Sequence, residues 1–548
     1  MSTRWMILGV VGILGAAYVI YGRFVSRLLG IDTARPTPAH TRFDGVDYVP
    51  ARHWLVLFGH HFSSICAAGP IVGPALAVAY WGWAPSLLWI LIGGILMGAV
   101  ADFSSLVVAV RHEGVSIAEV AGHVINRRAR LMFSIFILVA IVLVLAVFCV
   151  LAAGTFVQAP EIVVPSWGIL PVAMLCGAAL YRGRSGSLRL TVVTILGLAG
   201  IVALLVAGHA FPLRLPQTLS PTMMWIGLLL AYCFLASVLP VQYLLQPRDY
   251  LSSYVLFTTI GLVIVGVFVR APMMRSSPFA SFLPQDWPAA GPLWPLMFVT
   301  IACGAISGFH SVVSSGTTCK QIATEAHACR IGYGAMLVES LVATLVVISV
   351  GAGLSMERHA ELLRSPGGAI SAFGEGYGAL TAWMFGDWGA TFAVMALNFF
   401  ILTTLDTATR LSRYILQEIT GWRNRYLPTA IIVFAAGVLA ISGHWRVLWP
   451  AFGASNQLVA ALALLVVSVW LVGRRRIVMP ILIPGAIMLI TTVAALLWQV
   501  WTAIRYTDPG TGLARPNFVL AGICAVLVVL ALLVLHETWI DTRRKILA

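Results

Sequence analysis

Fifteen stretches of this 548-residue chain are apolar over a length that can cross a bilayer, and the connections between them never exceed about 33 residues (355–387). A soluble core cannot bury so many such stretches, so the chain must use lipid as its solvent. Composition agrees: 60% of residues are hydrophobic and only 10% charged. Every backbone amide and carbonyl at membrane depth then needs a partner within the protein, and with runs this long the architecture has to be helical. The expected fold is an all-α polytopic membrane protein of about 15 transmembrane helices.

The net charge of +14 does not point to nucleic acid, because the basic residues sit at the ends of the apolar runs. By side, 25 of the 34 Lys and Arg residues fall in connections after odd-numbered spans, which places the N-terminus outside and the C-terminus in the cytoplasm. The first run (3–22) reads as a reverse signal anchor. The eight cysteines lie in or beside spans without metal-type spacing and read as reduced packing residues. No HExxH, P-loop or GxSxG is present, so no enzyme chemistry is signalled, and an energy source has to be an ion gradient.

Span 2 (54–80) is interrupted at its midpoint by Ser63, Ser64, Gly69, Pro70, Gly73 and Pro74. Pro70 lacks an amide hydrogen and clashes with the preceding turn, so the helix is expected to open there. Open backbone at that depth persists only when buried in protein or lining a polar cavity; a plain proline kink with a GxxxG packing face is the simpler reading. Span 7 (222–245) carries a second candidate break at Ser237 and Pro240, followed by Gln242. Spans 2 and 7 enter from opposite sides, which predicts two inverted five-helix units, each beginning with a discontinuous helix. The expected divisions are 1–53 (extra helix and connection), 54–208 (first repeat), 209–421 (second, inverted repeat) and 422–548 (extra C-terminal helices).

Span 9 (293–318) is rich in hydroxyls: Ser307, Ser311, Ser314, Ser315, Thr317 and Thr318 flank His310. They can ligate a cation or bond back to their own helix. Asp102, Glu339 and Asp406 lie inside spans, where ionisable groups are costly and mark proton or ion paths. With His60, His61 and His310 they form a candidate proton route; the structural alternative pairs Asp406 with Arg410 one turn on. Asn456 and Gln457 are expected to make interhelical hydrogen bonds.

The stretches GHHFSSICAAGPIVGPALA (59–77), ADFSSL (101–106), TIACGAISGFHSVVSSGTT (300–318), IGYGAMLVES (331–340), TTLDTATRLSRYILQE (403–418) and LWPAFGASNQLVAALAL (448–464) resemble the carbon starvation protein A family. The resemblance implies bacterial inner-membrane transporters that take up peptides during carbon starvation, with relatives that import pyruvate with protons, and a five-plus-five fold of the leucine-transporter kind. It implies a substrate site formed by His61, Ser63, Ser64, Ala67, Gly69, Pro70, Ser237, Pro240, Gln242 and His310. It places a sodium-type site at Ser314 and Ser315, with Thr318 beside them, while the candidates for proton coupling remain the intramembrane carboxylates Asp102, Glu339 and Asp406. No cofactor is implied beyond a coupling ion, H+ or Na+. The chain is shorter than the larger family members, which leaves peptide and pyruvate both open. A nutrient sensor without transport is the rival from another class, and a membrane metalloenzyme using His60, His61 and His310 lacks ligand spacing.

Overall fold

The computed structural model describes the chain except residues 1, 46, 52, 182–186, 217–219, 240, 288–289, 366–367, 443–444, 506–515 and 548. Apart from one isolated bridge between Ser2 and Met273, the regular structure of the described residues is helical. α1 spans Thr3–Leu29, α2 Trp54–Ile65, α3 Gly69–Trp81, α4 Trp83–Arg111 and α5 Ile117–Val124. Then follow α6 (Arg127–Gln158), α7 (Val163–Tyr181), α8 (Ser187–Ala210), α9 (Pro221–Val238) and α10 (Val241–Arg270). The remainder comprises α11 (Gly308–Gly316), α12 (Gly334–Gly353), α13 (Met356–Arg364), α14 (Gly368–Phe385) and α15 (Trp388–Thr420). It closes with α16 (Tyr426–Ser442), α17 (Trp445–Gly473), α18 (Met479–Ile504) and α19 (Phe518–Leu547).

Twelve helices among the described residues are long and apolar enough to cross a membrane, thirteen when the bent pair α2–α3 counts as one span. Two of the fifteen expected spans take other forms. Residues 426–442 make a helix of only 17 residues, and 293–318 divides into short helical pieces around a non-helical stretch.

The centre and the perimeter separate by burial. α6, α12, α15 and α17 are buried over 78–89% of their apolar windows, whereas α8 is buried over 22% and presents Ile195 and Leu196 outward. Three of these helices, α12, α15 and α17, carry Glu339, Asp406 and Asn456 inward, which a lipid-facing helix could not tolerate.

Span 7 departs from its expected form. α9 ends at Val238, Leu239 is extended, and α10 runs as one helix from Val241 to Arg270. The sequence signal at Ser237 therefore marks a corner between two helices, and Ser237 Oγ faces Thr429 Oγ1 at 3.3 Å. Pro240 and the side chain of Gln242 lie outside the described residues.

The second discontinuity falls instead in span 9. Helical structure stops at Thr300, Ile301 leaves the helical region (φ −88°, ψ 65°), and α11 resumes at Gly308 after an extended Ser307. No proline lies between 301 and 307 to announce it. Packing decides the matter, because Gly304 lies against Pro70 and Ala343, and a Cβ there would sit 2.6 Å from Ala343 Cβ.

Candidate functional site

The first break is built as the sequence implies. α2 and α3 meet at 48° across Cys66–Ala68, with Pro70 in the opening turn of α3, where a missing amide hydrogen costs nothing. The break is pressed against the second one. A Cβ on Gly69 would lie 2.4 Å from Cys303, and one on Gly73 2.3 Å from the carbonyl oxygen of Thr300. Only glycine at these positions lets the two open backbones touch.

Opened backbone in the second break is satisfied by side chains from elsewhere. Phe309 N–H donates to Asn456 Oδ1 at 2.8 Å, so α17 caps the start of α11 in place of a local residue. On the other side the Phe298 carbonyl accepts from Gln457 Nε2 (2.6 Å) and Trp89 Nε1 (3.0 Å). Asn456 Nδ2 also donates to Ser307 Oγ at 3.0 Å. Asn456 and Gln457, expected only as interhelical glue, hold the unwound segment open.

At the crossing of the breaks lies a fully buried cluster. His310 Nδ1 is 3.0 Å from Asp102 Oδ2 on α4, and His310 Nε2 is 3.3 Å from Glu339 Oε2 on α12. None of the three side chains has solvent exposure. Asp102 Oδ1 and both Glu339 oxygens lack a hydrogen-bond partner among the described residues. Cys303, in the second break, accepts from Asn456 Nδ2 at 3.3 Å through its Sγ. Two carboxyls flanking one imidazole, away from water, cannot hold two negative charges without compensation, since isolated buried ions cost several kcal/mol each.

A second ionic group sits beside α2. Arg248 on α10 reaches Asp406 Oδ2 (2.5 Å) with one nitrogen and Asp249 Oδ1 (3.0 Å) with another, and also contacts the Tyr232 hydroxyl. Tyr232 O–H donates to Asp406 Oδ2 at 2.9 Å. Asp249 Oδ2 in turn lies 3.1 Å from His60 Nδ1, and Ser63 Oγ donates to the Asp249 carbonyl at 3.2 Å. One chain of polar contacts thus joins α15, α9, α10 and the inner part of the first broken span.

The site residues expected from sequence divide accordingly. Asp102, Glu339 and His310 come together, and Ala67, Gly69 and Pro70 lie at the break beside them. Asp406 belongs to the Arg248 group. Its expected partner Arg410 donates instead to the carbonyls of Ala236 and Leu239 at 2.7 Å each, and Arg413 to that of Ser237 at 2.8 Å. These carbonyls end α9 without intrahelical partners, and two guanidiniums complement that terminus.

His61 Nδ1 pairs with Thr318 Oγ1 at 2.8 Å, and Ser64 Oγ donates to the His60 carbonyl at 2.8 Å. Ser315 Oγ donates to the Ser311 carbonyl (2.8 Å) and accepts from Ile117 N–H (3.2 Å). Of Ser314, Ser315 and Thr318, Ser314 keeps an unpartnered buried hydroxyl, while those of Ser315 and Thr318 are engaged within the protein. Ser237 lies at the α9 corner, away from the breaks. Sequence reasoning missed Arg248, Asp249 and Tyr232; the adjacent Arg–Asp pair in an otherwise apolar run was the available signal.

The profile of the family described as carbon starvation protein CstA matches residues 2–375 and 360–495. The peptide transporter CstA of Bacillus subtilis (strain 168) is 34% identical, over 96% of this chain and 95% of that protein. The pyruvate/proton symporter BtsT of Escherichia coli (strain K12) is 30% identical, over 90% of this chain and 81% of that protein. Among solved structures, a manganese transporter of Eremococcus coleocola in complex with an aromatic bis-isothiourea compound superposes with a TM-score of 0.55 at 13% identity, covering 92% of this chain and 99% of that one. That likeness concerns the fold alone.

Proposed function

The chain belongs to the carbon starvation protein CstA family, and from that premise we propose that it imports peptides by proton-driven alternating access through the His310 site. It is a multi-pass membrane transporter and not an enzyme. The observation that carries the finer reading is the clasp of His310 between Asp102 and Glu339 where both breaks meet.

The chemistry runs as follows. With His310 protonated and both carboxyls ionised the cluster holds one net negative charge, and a proton or a substrate ammonium neutralises it. A peptide supplies such an ammonium through its N-terminus, and its carboxylate suits the positive dipole end of α3 or α11. The cavity beside Cys66 and Ala67 holds only about 30 Å³, so admitting a solute requires the helices to part. Pyruvate with a proton is the second reading, favoured by the similarity to BtsT: as a pure anion it would need His310 charged and one carboxyl neutral.

Packing supports a particular division into repeats. α6 packs along α15, and α9 and α16 each pack against both. We therefore take 54–270 and 293–473 as the two inverted units, with α7 and α8 as an inserted hairpin, in place of the boundaries at 208 and 421. The rocking bundle is then α2–α3, α4, the 293–316 segment and α12, with the N-terminus outside and the C-terminus in the cytoplasm.

The test is uptake into liposomes containing the purified protein. Under an inward proton gradient, labelled dipeptide should accumulate and carry protons with it. Accumulation driven by sodium alone, or of pyruvate but not dipeptide, overturns the corresponding part. Binding without accumulation removes transport itself.

A further inference from the structure

A large cavity lies apart from the breaks, between α1, α2, α10 and α12. It measures about 910 Å³, and its wall is mostly apolar: Leu14, Phe58, Phe257, Leu337 and Leu341 line its length. Leu55, Val56 and Phe257 on its rim are 42–54% exposed, so the cavity opens sideways onto the hydrocarbon layer. Gly15 faces it, and a Cβ there would meet nothing within 4 Å.

One end of the groove is positively charged. Arg330 lines it and stands 5.4 Å above the Trp54 ring, and His53 lines the same end. Arg23 adjoins this end: Gly22, the residue before it, accepts from Cys329 Sγ at 3.8 Å, and Cys329 directly precedes Arg330. Among the described residues neither Arg23 nor Arg330 has a carboxylate at ion-pair distance.

We infer that this groove is a site for one anionic phospholipid, its phosphate between Arg330 and Arg23 and an acyl chain along Leu14, Phe58 and Phe257. A guanidinium without a carboxylate partner, over a tryptophan ring at the mouth of an apolar slot, matches a phosphate with a hydrocarbon tail attached. A soluble anion would gain nothing from the slot, and a neutral lipid nothing from the arginines. The site lies against α2, the half of the broken span that carries His60 and Ser63, so the bound lipid braces the segment that alternating access has to move.

The experiment is native mass spectrometry of the full-length protein released from nanodiscs containing equal phosphatidylglycerol and phosphatidylcholine. The wild type should retain one phosphatidylglycerol in preference to phosphatidylcholine. Arg330→Gln should weaken that retention about tenfold, one decade in affinity. Gly15→Leu should abolish it by filling the slot while leaving both arginines in place. Gly12→Leu, on the same helix with open space around it and outside the groove lining, should retain the lipid like wild type. Equal retention of the two lipids, or wild-type retention in both Arg330→Gln and Gly15→Leu, overturns the proposal.

Discussion

His310, on the second discontinuous segment, meets Asp102, on the helix that follows the first, with Nδ1 and Oδ2 3.0 Å apart in a site without solvent exposure. The contact ties the two breaks together across 208 positions of sequence. Glu339 closes the other side of the ring at 3.3 Å.

This arrangement separates the roles of the two carboxyls. Glu339→Gln removes the acid whose oxygens have no other partner, so gradient-driven uptake should fall at least about tenfold while substrate counterflow persists. Asp102→Asn disturbs the orientation of His310 itself and should lower both. Parallel uptake and counterflow assays on the two variants check this; equal losses for Glu339→Gln remove it as the coupling acid.

Asp406 is engaged by Arg248 and Tyr232, and removing it leaves the buried guanidinium with Asp249 alone as charge partner and one nitrogen unsatisfied. Asp406→Asn or Arg248→Gln alone should each destabilise the protein by about 3–5 kcal/mol, a typical loss when one partner of a buried pair is removed. The double variant should lose less than the sum. Thermal unfolding in detergent across the four proteins gives the coupling; strict additivity would show the pair to be energetically idle. Because this loss is structural, Asp406→Asn should depress uptake and counterflow together.

Gly73 tests how closely the breaks must approach. In Gly73→Ala the new methyl would fall 2.3 Å from the Thr300 carbonyl oxygen and 3.1 Å from Ile301 Cα, both backbone atoms that cannot swing aside. Overpacking of this kind costs ~1–3 kcal/mol. Gly12→Ala, with nothing within 4 Å, should leave unfolding unchanged. A Gly73→Ala protein as stable and active as wild type would mean the two segments are not held together in the membrane.

Outside the membrane spans, His359 on α13 is buried beside the carbonyl of Ala75, and desolvation pulls its pKa down from 6.5 to about 4. Above pH 6.5 the imidazole is neutral both docked and undocked, and docking is fully stable. Between pH 6.5 and 4 the undocked form takes a proton that the docked form refuses, so α13 loses about 3 kcal/mol of docking stability over that window. Hydrogen exchange of the α13 amides should therefore quicken, beyond the intrinsic pH effect, as pH falls through 6. His359→Gln should remove the dependence.

Several of these features were legible in the residues. Pro70 behind Gly69 marks the first break because a missing amide hydrogen and a ring clash act locally, wherever the helix lies. The hydroxyl-rich stretch around His310 also pointed to the right segment. The second break was misplaced at Pro240 because the same local logic was applied to a proline that follows the end of α9. At 301–307 the opening has no local cause; it exists because Asn456, Gln457 and Trp89 supply the hydrogen bonds a continuous helix would have made.

From its amino acids alone, this chain was bound to be a helical membrane protein with costly ionisable groups at depth and at least one ruptured span. Hydropathy and backbone chemistry depend only on near neighbours, and they settle that much. Which charge answers which was decided by the crossing of distant helices: Arg248 takes Asp406 from 158 positions away, and Arg410, four residues from Asp406, serves the end of α9 instead. Partner choice in a medium without water follows from which unsatisfied groups the packing brings within reach, and spacing along the chain does not contain that information.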